Sequence, residues 1–425
     1  MKKVLIITYY WPPCGGVAVQ RWLKISKYLS LFEWLPTVIT TENGDYPFLD
    51  DTLNNEISPD LKVIRTKTPT FKNIFKALTG KNESLPYGSL KASKEDSIIK
   101  KILFFIRSQM VIPDARVIWN KNALKAAEKA IFSGLYEAVI TTGPPHSTHL
   151  VGLELKKKYK LTWIADFRDP WTNIYYYQSF KRNFLIKSID RFLEKKVISQ
   201  ADSIVTVSEQ IANLLAPGKA LVIPNSFDPD DYINFRYEKS DKFRIKFIGS
   251  LTSSRKAEVY QTIRWFDHLA SENRMCIEFS VIGNQTPFEK EIDPAHIFLK
   301  NIGFIQHKKV IEECVNCELL LLVINQTTSN EGILTYKLFE YLGSQTKIIG
   351  IGPVNGDAAK ILDMANAGKM FDYHNQTDFS DFVKTIYKSW EENNLLRNKQ
   401  ELIQFSAPYI ASLFSQALSS SVKKK

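Results

Sequence analysis

Short apolar runs alternate with amphipathic stretches along most of this chain, and polar turn residues separate them. Residues 319–324 form the most apolar run, which predicts a strand buried on both faces of a parallel sheet. Polar residues follow, and the apolar positions after Gly332 have helical spacing. Because this order of strand, turn and helix recurs, the pattern predicts an α/β fold with doubly wound parallel sheets.

The predicted elements fall into two sets. The first set has strands at 4–8, 37–40, 62–65, 138–142, 162–166, 203–207 and 221–223, and helices at 17–31, 120–132, 146–159 and 180–200. The second has strands at 243–249, 277–282, 319–324 and 348–351, and helices at 257–270, 308–314, 358–364, 379–393 and 397–418. Since 425 residues exceed one typical core, we expect two domains. Their bounds are 1–210 and 242–395, with a linker at 211–241 and a C-terminal helix and basic tail at 396–425.

The composition is that of an ordinary globular protein, with 44% hydrophobic and 24% charged residues. The net charge of +11 predicts a basic surface suited to anionic lipid, nucleic acid or a phosphorylated substrate. Nucleic acid ranks last, because the sequence carries no recognition motif for it. Residues 98–110, after a long predicted loop at 68–97, are amphipathic. They could lie on a membrane surface or pack against their own domain.

The cysteines and the hydropathy of the chain indicate the cellular compartment of the protein. No apolar run approaches the roughly 20 residues of a membrane-spanning helix. The four cysteines, at positions 14, 276, 314 and 317, are typical of a reducing cytoplasm. Cys314 and Cys317 form a C-x-x-C pair, but no second pair or histidine cluster with zinc-site spacing accompanies it. We therefore expect a cytoplasmic protein, and we predict no metal site.

The turn after residues 319–324 is the first candidate ligand site. A helix that begins near residues 332–335 would present free N–H groups and the positive end of its dipole beside a strand end. Lys337 and Glu340 are three residues apart, so they share one helix face. The helix start would bind a phosphate, and the carboxylate would bind sugar hydroxyls. A nucleotide carries both groups. The alternative is an ordinary turn with an exposed ion pair.

Two loops of the first half carry further candidates. Gly15 and Gly16 would let the backbone approach a phosphate closely, although adjacent glycines also serve plain tight turns. The loop at 141–146 would place the imidazole of His146 in the crevice at the end of a strand. A single histidine at such a position can equally be structural.

Charged residues follow two more predicted strands. Asp166, Arg168 and Asp169 form either a functional cluster at a strand end or an ion-paired loop. In the second half, Arg255 and Lys256 follow the turn at Gly249. Two cations are unfavourable beside the positive end of a helix dipole, so a diphosphate partner would explain their position. Solvated charges are the alternative.

The order and spacing of six motifs resemble those of family 4 retaining glycosyltransferases of the bacterial surface-polysaccharide type. The motifs are YYWPPCGGVAVQR, TTGPPHSTHL, WIADFRDPW, IPNSFD, FIGSLTSSRK and GILTYKLFEYL, which span residues 9–342. The later GIGPVNGDAAKIL also fits. The resemblance implies the GT-B fold, in which two Rossmann-like domains face each other across a cleft. The first domain would hold the acceptor and the second the nucleotide-sugar.

The resemblance also implies roles for individual residues. The implied donor-binding residues are Gly15, Gly16, Gly249, Arg255, Lys256, Leu334, Thr335, Lys337 and Glu340. The catalytic candidates are His146, Asp166, Arg168 and Asp169. Arg255 and Lys256 would bind the diphosphate, and Glu340 would hold the ribose. The chain departs from the family pattern at Gly332, which aligns with the first of the family's paired glutamates, and at Ser250, where arginine is common.

The expected function is the transfer of a sugar from a nucleotide-diphosphate sugar to a saccharide or lipid-linked acceptor, with retention, in surface-polysaccharide synthesis. The resemblance implies an enzyme without a cofactor or a metal, with no nucleic-acid partner. It would be cytoplasmic, with peripheral contact to an anionic membrane at the inner face of the plasma membrane. A sugar-nucleotide epimerase on the same fold and a non-catalytic scaffold are the alternatives.

Overall fold

The computed structural model describes residues 1–47, 49–69, 111–173, 182–251, 255–283, 291–327, 330–395, 397 and 400–423. The chain divides into two compact units. Unit 1 comprises Met1–Pro224 together with Ile410–Lys425, and unit 2 comprises Asn225–Tyr409. The predicted amphipathic stretch at 98–110 and nearly all of the predicted loop at 68–97 lie outside the described residues.

Unit 1 is built on a seven-stranded parallel sheet of order β3-β2-β1-β4-β5-β6-β7. Its strands are β1 Lys2–Ile7, β2 Trp34–Thr41, β3 Lys62–Thr66, β4 Ala138–Gly143, β5 Thr162–Phe167, β6 Ser203–Thr206 and β7 Ala220–Val222. Its helices are α1 Val17–Tyr28, α2 Asn120–Ser133, α3 Thr148–Tyr159, α4 Phe184–Gln200 and α5 Glu209–Leu215.

Unit 2 repeats this plan with a six-stranded parallel sheet of order β10-β9-β8-β11-β12-β13. Its strands are β8 Phe243–Ile248, β9 Ile277–Ile282, β10 Phe298–Gly303, β11 Leu319–Val323, β12 Lys347–Ile351 and β13 Gly368–Phe371. The helices that follow are α6 Lys256–Asn273, α7 His307–Val315, α8 Tyr336–Ser344, α9 Asp357–Met364, α10 Gln376–Glu391 and α11 Ala407–Lys423.

Burial explains why these segments form strands. Every residue of β11 is apolar and buried, as expected where helices cover both faces of a parallel sheet. The predicted strands and the two Rossmann-like sheets are confirmed. The sequence pattern missed β10, whose residues alternate between exposed and half-buried, and the short strand β13. It also missed α5, a short helix that crosses the predicted boundary between the first domain and the linker.

The C-terminal helix links the two units. It was predicted to begin at residue 397, but α11 begins at Ala407 after a 3-10 turn at Gln400–Phe405. From Ile410 onward the helix belongs to unit 1. The ring of Phe414 lies 4.8 Å from that of Trp22, and Trp34 donates a hydrogen bond to Ser419. No helix in the described ranges is long and apolar enough to cross a membrane.

Candidate functional site

Each sheet has a point where the strand order reverses, and ligands of doubly wound folds bind beside the carboxyl ends of the strands there. In unit 1 this switch point lies between β1 and β4, and in unit 2 it lies between β8 and β11. The candidate residues of both units follow the strands next to these points. The two edges are described separately below.

The loop after β1 ends at the glycine pair, directly before α1. Gly16 is the N-cap of α1 and has a φ of 95°, which a residue with a side chain rarely adopts. The first turn of α1 contains no acidic residue. No carboxylate of the first turn therefore neutralises the positive end of the helix dipole. An anion can bind favourably at such a helix start.

The loop after β4 brings two imidazoles together. The His146 ring stacks on Trp171, with centroids 5.2 Å apart and planes 7° apart, and lies 5.9 Å from the His149 ring. A side chain at Gly143 would collide with both rings, because its Cβ would lie 2.8 Å from His146 Nδ1 and 2.7 Å from His149 Nε2. Glycine at the end of β4 thus makes room for the pair.

His146 is 8% exposed, and neither ring nitrogen has a hydrogen-bond partner among the residues that the structure describes. Burial lowers its pKa well below the ordinary value. The nearby His149 and Arg168 lower the pKa further, while contact with the backbone of Pro170 offsets only part of the effect. At neutral pH the ring is therefore uncharged, with one N–H donor and one acceptor nitrogen. Both nitrogens are buried beneath the surface of this edge.

His149 was not among the sequence candidates. Trp163 Nε1 donates to Thr141 Oγ1 at 2.8 Å, and Thr141 Oγ1 lies 2.9 Å from His149 Nδ1. The Thr141 hydroxyl can therefore donate to Nδ1, which leaves the proton of the neutral ring on Nε2. Burial, with a smaller contribution from Arg168, lowers the pKa of His149 to about 3. The second imidazole is thus also neutral, and it faces Gly143 beside the first.

Asp166 lies inside the sheet rather than at its surface. The carboxylate is fully buried and accepts hydrogen bonds from Arg21, Trp22 and Thr142 at 2.8–3.2 Å. Arg21 in turn donates to the carbonyl oxygens of Ile223 and Pro224. These contacts join β5 to α1 and to the end of unit 1, so Asp166 holds the edge of the sheet in shape.

Arg168 ties the loop after β5 to the start of α1 and to the loop after β4. Its guanidinium donates to the carbonyl oxygens of Ala18, Gly143 and Pro144. Burial lowers the pKa of Arg168, and the carboxylates of Asp166 and Asp169 oppose that shift. Arg168 therefore positions the start of α1 against the loop that carries His146.

Asp169 is half-buried at the same edge. Burial raises the pKa of its carboxyl group, and the nearby Arg168 only partly offsets this effect. It is the acidic candidate of unit 1 that remains at the rim of the edge, and the raised pKa makes it a better proton acceptor than an ordinary aspartate.

In unit 2, Arg255 spans the switch point. Its Nε donates to Asn325 Oδ1 at 3.1 Å, which ties the end of the β8 loop to the loop after β11. A Cβ at Gly249 would lie 3.6 Å from Arg255 Nη1, so the guanidinium lies over this glycine turn. A cation held over a bare backbone turn at the carboxyl end of β8 is suited to a diphosphate.

Lys256 is placed differently from its neighbour. Its Nζ forms an ion pair with Glu291 and lies 5.4 Å from the Tyr260 ring, and the hydrogen bond to Glu291 raises the pKa of Lys256. Its charge is thus already balanced by a carboxylate of the β9–β10 loop. The structure therefore brings Arg255, but not the amino group of Lys256, over the Gly249 turn.

Glu340 is 4% exposed, on the second turn of α8. Its Oε1 lies 3.1 Å from His307 Nε2, and its Oε2 accepts from Lys337. Burial alone would raise the pKa of Glu340, but Lys337 and His307 hold it at about 2. The predicted ion pair exists, although its carboxylate is buried rather than exposed. His307 is a partner that the sequence pattern did not indicate.

Helix α8 begins at Tyr336, with Thr335 as its N-cap. The Thr335 hydroxyl oxygen is buried and has no hydrogen-bond partner in the described part of the chain. Leu334 and Thr335 are both half-buried, so the helix start remains within reach of a ligand. Beside it, Tyr373 donates to the carbonyl oxygen of Ile324, and Asn330 donates to Asn325 and Tyr373, which fixes the loop after β11.

The two edges offer different chemistry. Unit 2 combines a positioned guanidinium, a glycine turn and a helix start, which together suit a phosphorylated ligand. Unit 1 combines two neutral, buried imidazoles with a half-buried carboxyl group whose pKa is raised, and this carboxyl group can accept a proton from a hydroxyl group. Within the described ranges, no group of three or more His, Cys, Asp or Glu side chains is arranged to hold a metal ion.

Comparison with known proteins gives matches at the level of structure only. Neither a protein-family model nor a curated protein sequence matches the chain. Among solved structures, sucrose-phosphate synthase from Thermosynechococcus elongatus has a TM-score of 0.64 at 13% identity, covering 100% of both chains. WaaG, a glycosyltransferase involved in lipopolysaccharide biosynthesis, has a TM-score of 0.53 at 13% identity, covering 98% of this chain and 99% of its own.

A third similar structure is the Anabaena protein HepE in complex with UDP-glucose. Its TM-score is 0.55 at 11% identity, and the match covers 100% of both chains. Together with the two parallel sheets, these likenesses show the GT-B fold of two Rossmann-like domains. At such low identity the likeness extends to the fold alone.

Proposed function

We propose that this protein transfers a sugar from a nucleotide-diphosphate sugar to a saccharide or lipid-linked acceptor. One observation carries the proposal: Arg255 is held by Asn325 over the Gly249 turn, at the switch point of unit 2. A diphosphate between this guanidinium and the start of α8 would meet a fixed cation and helix-end N–H groups. The GT-B fold and the UDP-glucose bound to HepE support this assignment.

The same arrangement stabilises the leaving group. As the bond from the sugar C1 to the diphosphate oxygen breaks, its electron pair moves onto the diphosphate and positive charge develops on the sugar. Arg255 and the α8 N–H groups are in place before the reaction, so they stabilise that negative charge without reorganising. In this proposal they supply the countercharge that a metal ion provides in other enzymes, and no cofactor is required.

Unit 1 is proposed to bind the acceptor. The acceptor hydroxyl attacks C1 from the face that the diphosphate leaves, which retains the configuration. Its proton passes to the departing diphosphate or to a basic side chain, and the raised pKa makes Asp169 a candidate. His146, whose ring is neutral, is proposed to lie beside the transferred sugar.

Glu340 is proposed to orient the ribose. Its carboxylate stays ionised, and each oxygen retains a lone pair beyond its bond to Lys337 or His307. Lys337 and the backbone of Leu334 and Thr335 would flank the nucleotide. The chain would act in surface-polysaccharide synthesis, which the likeness to WaaG, a glycosyltransferase of lipopolysaccharide biosynthesis, supports. We further propose that it contacts the inner face of the plasma membrane.

Product analysis tests the proposal. The protein is incubated with UDP- and GDP-sugars, with and without mono- and disaccharide acceptors, and the products are identified by mass spectrometry. We expect free nucleoside diphosphate and a glycosylated acceptor only when an acceptor is present, and NMR of the product should show the donor's anomeric configuration. Conversion of the nucleotide-sugar itself without an acceptor would instead identify an epimerase and overturn the proposal.

A further inference from the structure

Helix α4 of unit 1 presents an unusual outward face. Four large apolar side chains on it are strongly exposed: Phe184 at 75%, Leu185 at 57%, Ile189 at 48% and Phe192 at 62%. The spacing of Leu185, Ile189 and Phe192 places them on one side of the helix, at intervals of four and three residues. An apolar stripe of this kind on a surface helix marks an interaction site.

The charges of α4 are separated between its two faces. Its two acidic residues point inward: Asp190 pairs with Arg182 and accepts from Trp171, and Glu194 accepts from Thr172. All the charged residues on the exposed face are cations, namely Arg191, Lys195 and Lys196. The exposed side of α4 therefore carries large apolar side chains from Phe184 to Phe192, and all of its charges are positive.

We infer that this outward face of α4 docks on an anionic lipid bilayer. An apolar stripe followed by lysines and arginines fits a helix that lies in the membrane interface, with its apolar side chains among the acyl chains and its cations at anionic headgroups. The stem of Lys196 already lies along this stripe, with its Nζ 6.0 Å from the Phe192 ring.

The charge pattern argues against a second copy of this chain as the occupant. A two-fold interface brings the same surface from each partner together. Here each of the two surfaces would carry Arg191, Lys195 and Lys196 and no exposed acidic residue of the helix, so two positively charged surfaces would repel each other. An anionic lipid surface supplies the missing countercharge. The inference gives a location to the membrane contact proposed above, and it rests on that contact rather than on sugar transfer.

Vesicle flotation with the full chain tests the inference without any sugar substrate. We expect the wild type to bind vesicles of phosphatidylcholine with phosphatidylglycerol, to bind pure phosphatidylcholine weakly, and to lose binding as salt rises. The variant Arg191→Gln/Lys195→Gln/Lys196→Gln should bind about a hundredfold more weakly, since each cation near an anionic surface contributes roughly 1 kcal/mol. The variant Leu185→Ser/Phe192→Ser should lose at least about tenfold in affinity.

A matched control is the variant Phe132→Ser/Leu135→Ser, which alters an exposed apolar pair elsewhere in unit 1 and should bind like the wild type. Four results would overturn the inference. They are absence of wild-type binding to anionic vesicles, wild-type binding by the α4 variants, a lowered melting temperature of the apolar α4 variant, and a dimer in light scattering that the α4 variants dissociate. The third would show that protein covers the stripe, and the fourth that a second copy does. Activity in the product assay does not affect these outcomes.

Discussion

Three buried titratable groups carry the electrostatics of the two edges, and burial acts on them with different results. No carboxylate in the described part of the chain offsets the burial of His146 and His149, so both rings stay neutral. Glu340 is also buried, but Lys337 and His307 keep it ionised with a pKa of about 2. The sequence could indicate His146 and Glu340 by motif. It could not indicate their charge states, because these depend on partners distant in the chain.

The histidine pair predicts a loss of stability in mild acid. Unfolded histidine titrates near pH 6.5, so below that pH the unfolded chain binds protons that the buried rings do not. Stability of unit 1 should therefore fall as the pH drops from about 6.5 towards 4.5, by about 1.4 kcal/mol per pH unit for each ring. The Glu340 contribution remains intact over this window and is lost only as the pH falls from about 4.5 towards 2.

Urea unfolding followed by tryptophan fluorescence measures this slope, since six of the eight tryptophans lie in unit 1. The variant His149→Asn should reduce the slope by the share of one ring, about 1.4 kcal/mol per pH unit. An unchanged slope in the variant would show that His149 is not a neutral buried group.

Substitution of Glu340 should change both the free energy of unfolding of unit 2 and its binding of nucleotide, and the two effects can be measured separately. Glu340→Gln should lower the free energy of unfolding of unit 2 by about 1–3 kcal/mol, because the substitution removes a buried anion from two partners. The apo protein should still fold and should no longer gain stability from nucleotide. Glu272→Gln, at an exposed carboxylate of α6, should change neither quantity. Undiminished stabilisation of Glu340→Gln by nucleotide would remove Glu340 from the ribose site.

At the scale of elements, the apolar periodicity was enough to predict the strands that form both switch points. Buried strands such as β11 consist of continuous apolar residues, and their loops therefore stand out. The edge strand β10 escaped prediction because one of its faces is exposed and polar residues interrupt it. The bonds that shape the candidate site also escaped it, since Asn325 and His307 reach Arg255 and Glu340 from other elements.

The ends of β8 and β9 contact each other at two glycines, and a substitution there should weaken donor binding. A Cβ at Gly283 would lie 2.5 Å from the carbonyl oxygen of Gly249, so Gly283→Ala must displace the turn beneath Arg255. We expect donor affinity to fall about tenfold or more, as measured by calorimetric titration. Gly218→Ala is the control, because that glycine also has a positive φ but open space around it. Equal affinity of both variants and the wild type would contradict the assigned role of the turn.

At the scale of the whole molecule, the sequence predicts two units that each contain a parallel sheet. It does not predict which unit the last helix packs against. The sequence pattern treats residues 397–418 as a terminal helix. The structure shows that α11 leaves unit 2 and completes the core of unit 1, where Phe414 is fully buried against Trp22. Amphipathic spacing indicates that a helix has an apolar face, and it does not reveal which domain that face covers.

Phe414→Ala should therefore destabilise unit 1 by about 3–5 kcal/mol through loss of burial and the cavity left behind. Gln416→Ala, on the exposed side of the same helix, should leave stability within about 0.5 kcal/mol of the wild type. Denaturant unfolding monitored by tryptophan fluorescence distinguishes the two variants. Equal effects would mean that α11 does not belong to the core of unit 1.

The central claim, that unit 2 binds a nucleoside diphosphate through Arg255, is tested most directly by thermal stabilisation. UDP, GDP and their sugars are added at about a hundred times their dissociation constants to the wild type, to Arg255→Ala and to Arg264→Ala, an exposed arginine of the same unit. One nucleotide series should stabilise the wild type and Arg264→Ala by about 2.7 kcal/mol, a rise of roughly 5–10 °C, and should leave Arg255→Ala nearly unchanged. Equal stabilisation of Arg255→Ala, or no response of the wild type to any nucleotide, would contradict the claim.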